Sequence, residues 1–188
     1  MKPSMMNYTP PVLAPLAVSI GLLSSTAPAQ AQEVWGGLFA HAVETPLTFE
    51  TDEGGADIQV GLRGDPIQAL HAIGAPSPYA IASVNTRGDT NFVGAGLSWT
   101  IGKHRIYVRP GIGIVVHDGP RERINANGLH TELGSRVLFE PEVGVGVRLT
   151  RTLSLEANWT HISHARLFNS QQNPGIDMLG VRLNLRIH

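Results

Sequence analysis

The chain has 188 residues, 14 Lys+Arg against 15 Asp+Glu, and a formal net charge of -1. Charged residues make up 15%, against roughly 25% in a typical soluble protein, and no basic footprint marks a nucleic-acid binder. With no Cys there is no disulfide, no Cys-based zinc site and no thiol nucleophile, and 21 Gly spread along the chain disfavour a helical bundle.

Residues 1–31 read as a cleaved secretory signal peptide. Lys2 supplies the positive start, Val12 to Leu23 the apolar stretch, and Ala29-Gln30-Ala31 a small-x-small cleavage site. The apolar stretch is too short for a spanning helix, which needs roughly 20 residues. The folded domain is then 32–188, and export to a bacterial envelope follows.

From there the chain alternates with a period of two. Strands are expected near 33–43, 56–64, 78–87, 91–101, 105–117, 136–149, 153–165 and 177–187. One face of each is apolar: Leu153, Leu155, Ala157 and Trp159 in the seventh, and Leu179, Val181, Leu183 and Leu185 in the eighth. The other face carries glycines and charges, among them Arg63, Arg109, Glu140, Glu142, Arg148, Glu156, Arg182 and Arg186. A charge-free face suits lipid, and paired charges among glycines suit a narrow barrel interior. The expectation is therefore all-β: an eight-stranded antiparallel outer-membrane β-barrel. Links 65–77 and 118–135 are long and others tight, as if short periplasmic turns alternated with longer outer loops. Pro110 and Pro141 each remove a ladder donor and are expected to mark bulges. A soluble sandwich or lipocalin-like lipid carrier would alternate too, but its inner face would be apolar.

The seventh strand places His161 and Ser163 on the apolar, outward face. Their Cα atoms are two residues, roughly 6.6–6.8 Å, apart, so an imidazole nitrogen can reach the hydroxyl and take its proton. Asp177 opens the eighth strand with outward parity. An antiparallel neighbour can bring its carboxylate to the other imidazole nitrogen, fixing the tautomer. His164 has the opposite parity and is expected inside. Trp159 is expected in an aromatic girdle. The remaining histidines are scattered, and neither a metal site nor a cofactor is expected.

The segment Ala157 to Gly180, ANWTHISHARLFNSQQNPGIDMLG, resembles the signature of the lipid A 3-O-deacylase family, H-x-S-N, a loop, then N-x-G-I-E/D. The resemblance implies an eight-stranded outer-membrane esterase that removes the 3-O-linked 3-hydroxyacyl chain of lipid A. It implies Ser163 as nucleophile, His161 as base, Asp177 as the acidic member and Asn173 as an oxyanion donor, with Arg166 contributing a backbone N–H. It implies lipid A or lipopolysaccharide as substrate and outer-membrane lipid as surroundings. Nucleic acid is no partner, and a homodimer stays open. The chain departs from the pattern in three ways. Asp177 stands where Glu is usual, His164 follows the Ser where Asn is usual, and the hairpin is about two residues longer. Asp is shorter by one C–C bond, so either the strand sits closer or a water bridges. The competing reading is a non-catalytic barrel for adhesion or envelope integrity.

Overall fold

The computed structural model describes residues 32–46, 48, 53–102, 104–119, 133–165 and 175–187. The export signal expected at 1–31 lies outside them. Eight antiparallel strands close on themselves, each paired with its chain neighbours and the last with the first. They are β1 (Glu33–Ala40), β2 (Ala56–Arg63), β3 (Ser77–Asn85), β4 (Phe92–Ser98), β5 (Ile106–His117), β6 (Val137–Arg148), β7 (Leu153–Ile162) and β8 (Ile176–Arg186). The barrel and its strand positions agree with the alternation in the sequence. No helix among the described residues is long and apolar enough to cross a membrane.

The two faces separate by parity. Outward stand Leu38, Ile58, Val60, Leu62, Ile112, Ile114, Val143, Val145, Val181 and Leu183, all exposed. Inward and buried stand Arg63, Arg109, Glu140, Glu142, Glu156 and Arg182. Arg182 meets Glu142 at 2.5 Å and lies 4.0 Å over the Trp35 ring, and Arg109 bridges Glu156 at 2.9 Å and Glu33 at 3.0 Å. Arg182, Arg109, Glu142 and Glu156 thus have opposite charges beside them, without which their burial would be costly. Tyr79 donates to Glu140 and needs the room that Gly96 leaves. A Cβ there would come within 2.5 Å of the Tyr79 hydroxyl. The interior is not uniformly polar. Phe39, Leu138, Ile162, Ile176 and Met178 form an apolar cluster toward the end away from the termini.

Both described termini lie at one end, where Ile187 N donates to the Gln32 carbonyl (2.8 Å). That end also carries the link between β2 and β3, with a 3₁₀ helix at Gln68–Ile73. The link expected as an outer loop at 65–77 is therefore on the opposite end from 118–135. Strand parity decides which end a link occupies, and this link follows an even-numbered strand.

The prolines make no bulges. The β5–β6 register runs without slip from Ile106↔Val147 to Val116↔Val137, through both prolines. Pro110 lies opposite Trp99, just past the end of β4, and its carbonyl accepts from Trp99 N (2.9 Å). Its missing donor leaves one gap in that ladder, which resumes in the same register at Ile101↔Val108. Pro141 faces β7, whose ladder with β6 runs to Glu142↔Thr160 and resumes in the same register at Phe139↔Ser163. The lost bond falls opposite His161.

β1 is shorter than expected because Ala42 adopts φ 53° and turns the chain. His41 points into the mouth, its Nδ1 on Asp57 Oδ2 (2.8 Å) and its Nε2 on Glu53 Oε2 (2.9 Å). Burial opposes a charge on this imidazole. The hydrogen bonds and charges of Asp57 and Glu53 outweigh it, and its pKa is raised to about 9. Glu53 is held below its ordinary value: burial opposes this, but His41 and Thr90 prevail. His41's folded value exceeds its ordinary 6.5, so its contribution is complete below that pH and is lost as pH rises through about 9. Glu53's contribution is present above its ordinary 4.5 and is lost as pH falls through its lowered folded value. The unfolding midpoint of the detergent-refolded barrel is therefore expected to fall as pH rises through 9. In His41→Gln that alkaline step should be absent.

Candidate active site

The β7–β8 register sets His161 directly opposite Asp177. Ser163 exchanges backbone bonds with Phe139 on β6 (2.8 and 3.1 Å), so the same-parity His161 also turns its backbone toward β6. The Asp177 carbonyl instead accepts from Val43 N (2.9 Å). The His161↔Asp177 pair is thus of the non-hydrogen-bonded kind, in which side chains approach most closely. This closeness is why Asp suffices: His161 Nδ1 donates directly to Asp177 Oδ1 at 2.8 Å. No bridging water is needed. With Nδ1–H engaged, Nε2 is left with its lone pair, the state a general base requires.

Ser163 follows two residues on, at the rim of the same outward face. Asp177 is 0% exposed, His161 8% and Ser163 6%, whereas Leu155 and Leu179 on that face are 42% and 44% exposed. The trio therefore occupies a sheltered notch at the upper edge of an otherwise lipid-facing wall. Gly175 lines the notch. A Cβ there would lie 2.1 Å from His161 Cε1 and 2.7 Å from Nε2, so only glycine leaves that edge of the ring free.

Two supports escaped the sequence reading. Trp159 is not simply a girdle residue: its Nε1 donates to Asp177 Oδ1 (2.9 Å), and its ring stacks on His161 at 6.0 Å and 22°. Its parity with His161 was the available signal. Thr45 donates its hydroxyl to Asp177 Oδ2. It lies 132 positions away in the chain, and no local pattern could have marked it. Both carboxylate oxygens thus accept hydrogen bonds, and the side chain is fixed from three sides. His164 is buried and inward, as expected from its parity. Asn173 and Arg166 lie outside the described residues. Among the described residues no His, Asp and Glu grouping could hold a metal ion.

A model of the lipid A 3-O-deacylase (PagL) family matches residues 44–186. The chain belongs to this family. Its barrel is similar to a crystal structure of the outer membrane enzyme PagL, with a TM-score of 0.58 and 18% identity over 82% of this chain and 99% of that one. It is also similar to a crystal structure of Neisserial surface protein A, with a TM-score of 0.53 and 10% identity over 82% and 96%. At such identities the structures speak for the fold, a bacterial outer-membrane barrel. No curated protein matches the chain by sequence. The PagL-family match spans Thr45, His161, Ser163, Gly175 and Asp177 together.

Gly175→Ala is expected to displace the imidazole and lower turnover about 100-fold. The barrel should still show its heat-modifiable mobility on a gel, because Gly175 precedes β8. Turnover assays beside that gel check both parts.

Proposed function

We propose that the protein is an outer-membrane esterase that hydrolyses the ester between a 3-hydroxyacyl chain and the 3-position of a lipid A glucosamine. The observation that carries the reading is the direct His161–Asp177 hydrogen bond, with Ser163 two residues away on the same outward face. PagL family membership supplies the substrate class.

In this reading His161 Nε2 takes the Ser163 proton as Oγ attacks the ester carbonyl carbon. Asp177, Trp159 and Thr45 hold the imidazole and offset its charge. Asn173 and a backbone N–H of the β7–β8 hairpin, at Arg166, steady the oxyanion. The C–O bond to the sugar breaks, and His161 gives its proton to the departing 3-oxygen. Water attacks the acyl-serine with its proton passing to His161, which returns it to Ser163 Oγ as the acyl–Oγ bond breaks. A free 3-hydroxy fatty acid leaves and Ser163 is restored.

The placement suits the substrate. The notch lies at the end away from both described termini, which faces outward when the termini are periplasmic. Lipid A in the outer leaflet then reaches the wall sideways, without a pore. With residues 1–31 as the export signal, the barrel arrives there by secretion.

The test is incubation of the purified, refolded barrel with lipopolysaccharide and gas chromatography of released fatty acids. Release of 3-hydroxy fatty acid alone is expected. Release of only non-hydroxylated secondary chains would move the reaction to a different ester. No release from folded protein would favour a non-catalytic surface barrel.

A further inference from the structure

After β1, residues 41–45 leave the barrel mouth, cross the rim and reach Asp177. Its inner anchor is His41, locked between Asp57 and Glu53. Those carboxylates are themselves held: Glu53 by Thr90 Oγ1 (2.8 Å) and Thr90 N (3.2 Å), Asp57 by Asn85 Nδ2 (2.9 Å). His41, Asp57 and Glu53 are all buried. A ring facing a carboxylate at each nitrogen is fully satisfied only when both nitrogens carry protons. Ala42, at φ 53°, then turns the chain outward. Val43 N bonds the Asp177 carbonyl, and Thr45 Oγ1 bonds its carboxylate. One short segment thus joins an ionic clamp inside the mouth to the carboxylate outside the wall.

We propose that Thr45 is a positioning residue for the Asp177–His161 pair, and that the His41 clamp sets Thr45 in place. This rests on the hydrolase reading above and adds to it a third element, the β1 end of the barrel. Among the described residues Thr45 meets the site at Asp177. Without its bond, Oδ2 loses a donor and the carboxylate can rotate away from the His161 Nδ1–H. Without the clamp, the segment loses its inner anchor and Thr45 its fixed distance from β8.

The experiment compares Thr45→Val, Thr45→Ser, His41→Gln and the double variant His41→Gln/Thr45→Val with the wild type and Ser163→Ala. All are refolded barrels in one detergent, each checked for heat-modifiable mobility. Fatty acid release from lipopolysaccharide gives kcat and KM. Proton NMR of histidine-labelled protein follows the His161 Nδ1–H. Thr45→Val is expected to lower kcat about 10-fold with KM within about twofold, since one hydrogen bond to a charged group is lost. Thr45→Ser should restore it, because the hydroxyl alone is needed. His41→Gln should lower kcat similarly, and the double variant no further than the larger single loss. The Nδ1–H resonance should move in Thr45→Val and His41→Gln and return in Thr45→Ser.

Full activity with an unmoved resonance in Thr45→Val would overturn the proposal. Additive losses in the double variant would overturn the link to His41. Should the wild type itself release nothing, the hydrolase reading fails. The resonance then decides by itself whether Thr45 and His41 position the pair.

Discussion

Ser163→Ala is expected to lower kcat for lipid A deacylation by about 1,000-fold or more, with KM within a few-fold of wild type. In the proposed mechanism the Ser163 hydroxyl forms the covalent intermediate. Its removal leaves His161, Asp177 and the lipid-binding wall unchanged. A residual rate above background should persist, because oxyanion donors and orientation remain. Stability should hardly change, since Ser163 contributes to the ladder through its backbone, in the exchange with Phe139. Rates from detergent-solubilised lipopolysaccharide, with gel mobility as the fold control, check this. A retained rate would place the nucleophile elsewhere.

Asp177→Asn is expected to cost about 1,000-fold in kcat as well. The amide keeps the shape of the carboxylate but no longer offsets the imidazolium. It also offers an N–H where His161 Nδ1–H and Trp159 Nε1–H both need an acceptor. If the amide turns its nitrogen toward His161, the ring must present Nδ1 as acceptor and carry its proton on Nε2. That is the wrong tautomer for taking the serine proton. Asp177→Glu is the informative companion. It restores the charge but adds one methylene between strands already at their closest approach. Activity between that of wild type and Asp177→Asn is expected, read from kcat at a pH near neutrality.

Much of this was legible in the chain because lipid imposes a simple grammar. A wall that must be apolar outside and charged inside writes its parity into every strand. Leu179, Val181 and Leu183 could thus be told from Arg182 and Asn184 without coordinates. The same parity put His161, Ser163 and Asp177 on one face. The register that makes His161 face Asp177 was not fixed by that pattern, since a shift of two residues would preserve it. Nor does parity say where a long link folds. The link at 65–77 looked like an outer loop by length and polarity, yet the strand count sends it to the end with the termini. Pro141 looked like a bulge because a central strand normally tolerates no missing donor. Its cost is avoided by a gap in the ladder beside His161, where the β7 rim serves the site. Thr45 and the His41 clamp were invisible for a different reason. Thr45 acts across the closure of the barrel, between the first strand's link and the last strand, the clamp ties that link to β2, and no local spacing records either contact.

In the proposed reaction a sheltered His161–Ser163–Asp177 notch on the outer wall removes an acyl chain from lipid A. Mass spectrometry of lipid A from cells expressing the wild type or Ser163→Ala, both confirmed folded in the outer membrane, tests it most directly. Lipid A is expected to lose the mass of one 3-hydroxyacyl chain with the wild type and to keep it with Ser163→Ala. Loss with both proteins would contradict the assigned nucleophile. Unchanged lipid A with both would contradict the reaction itself.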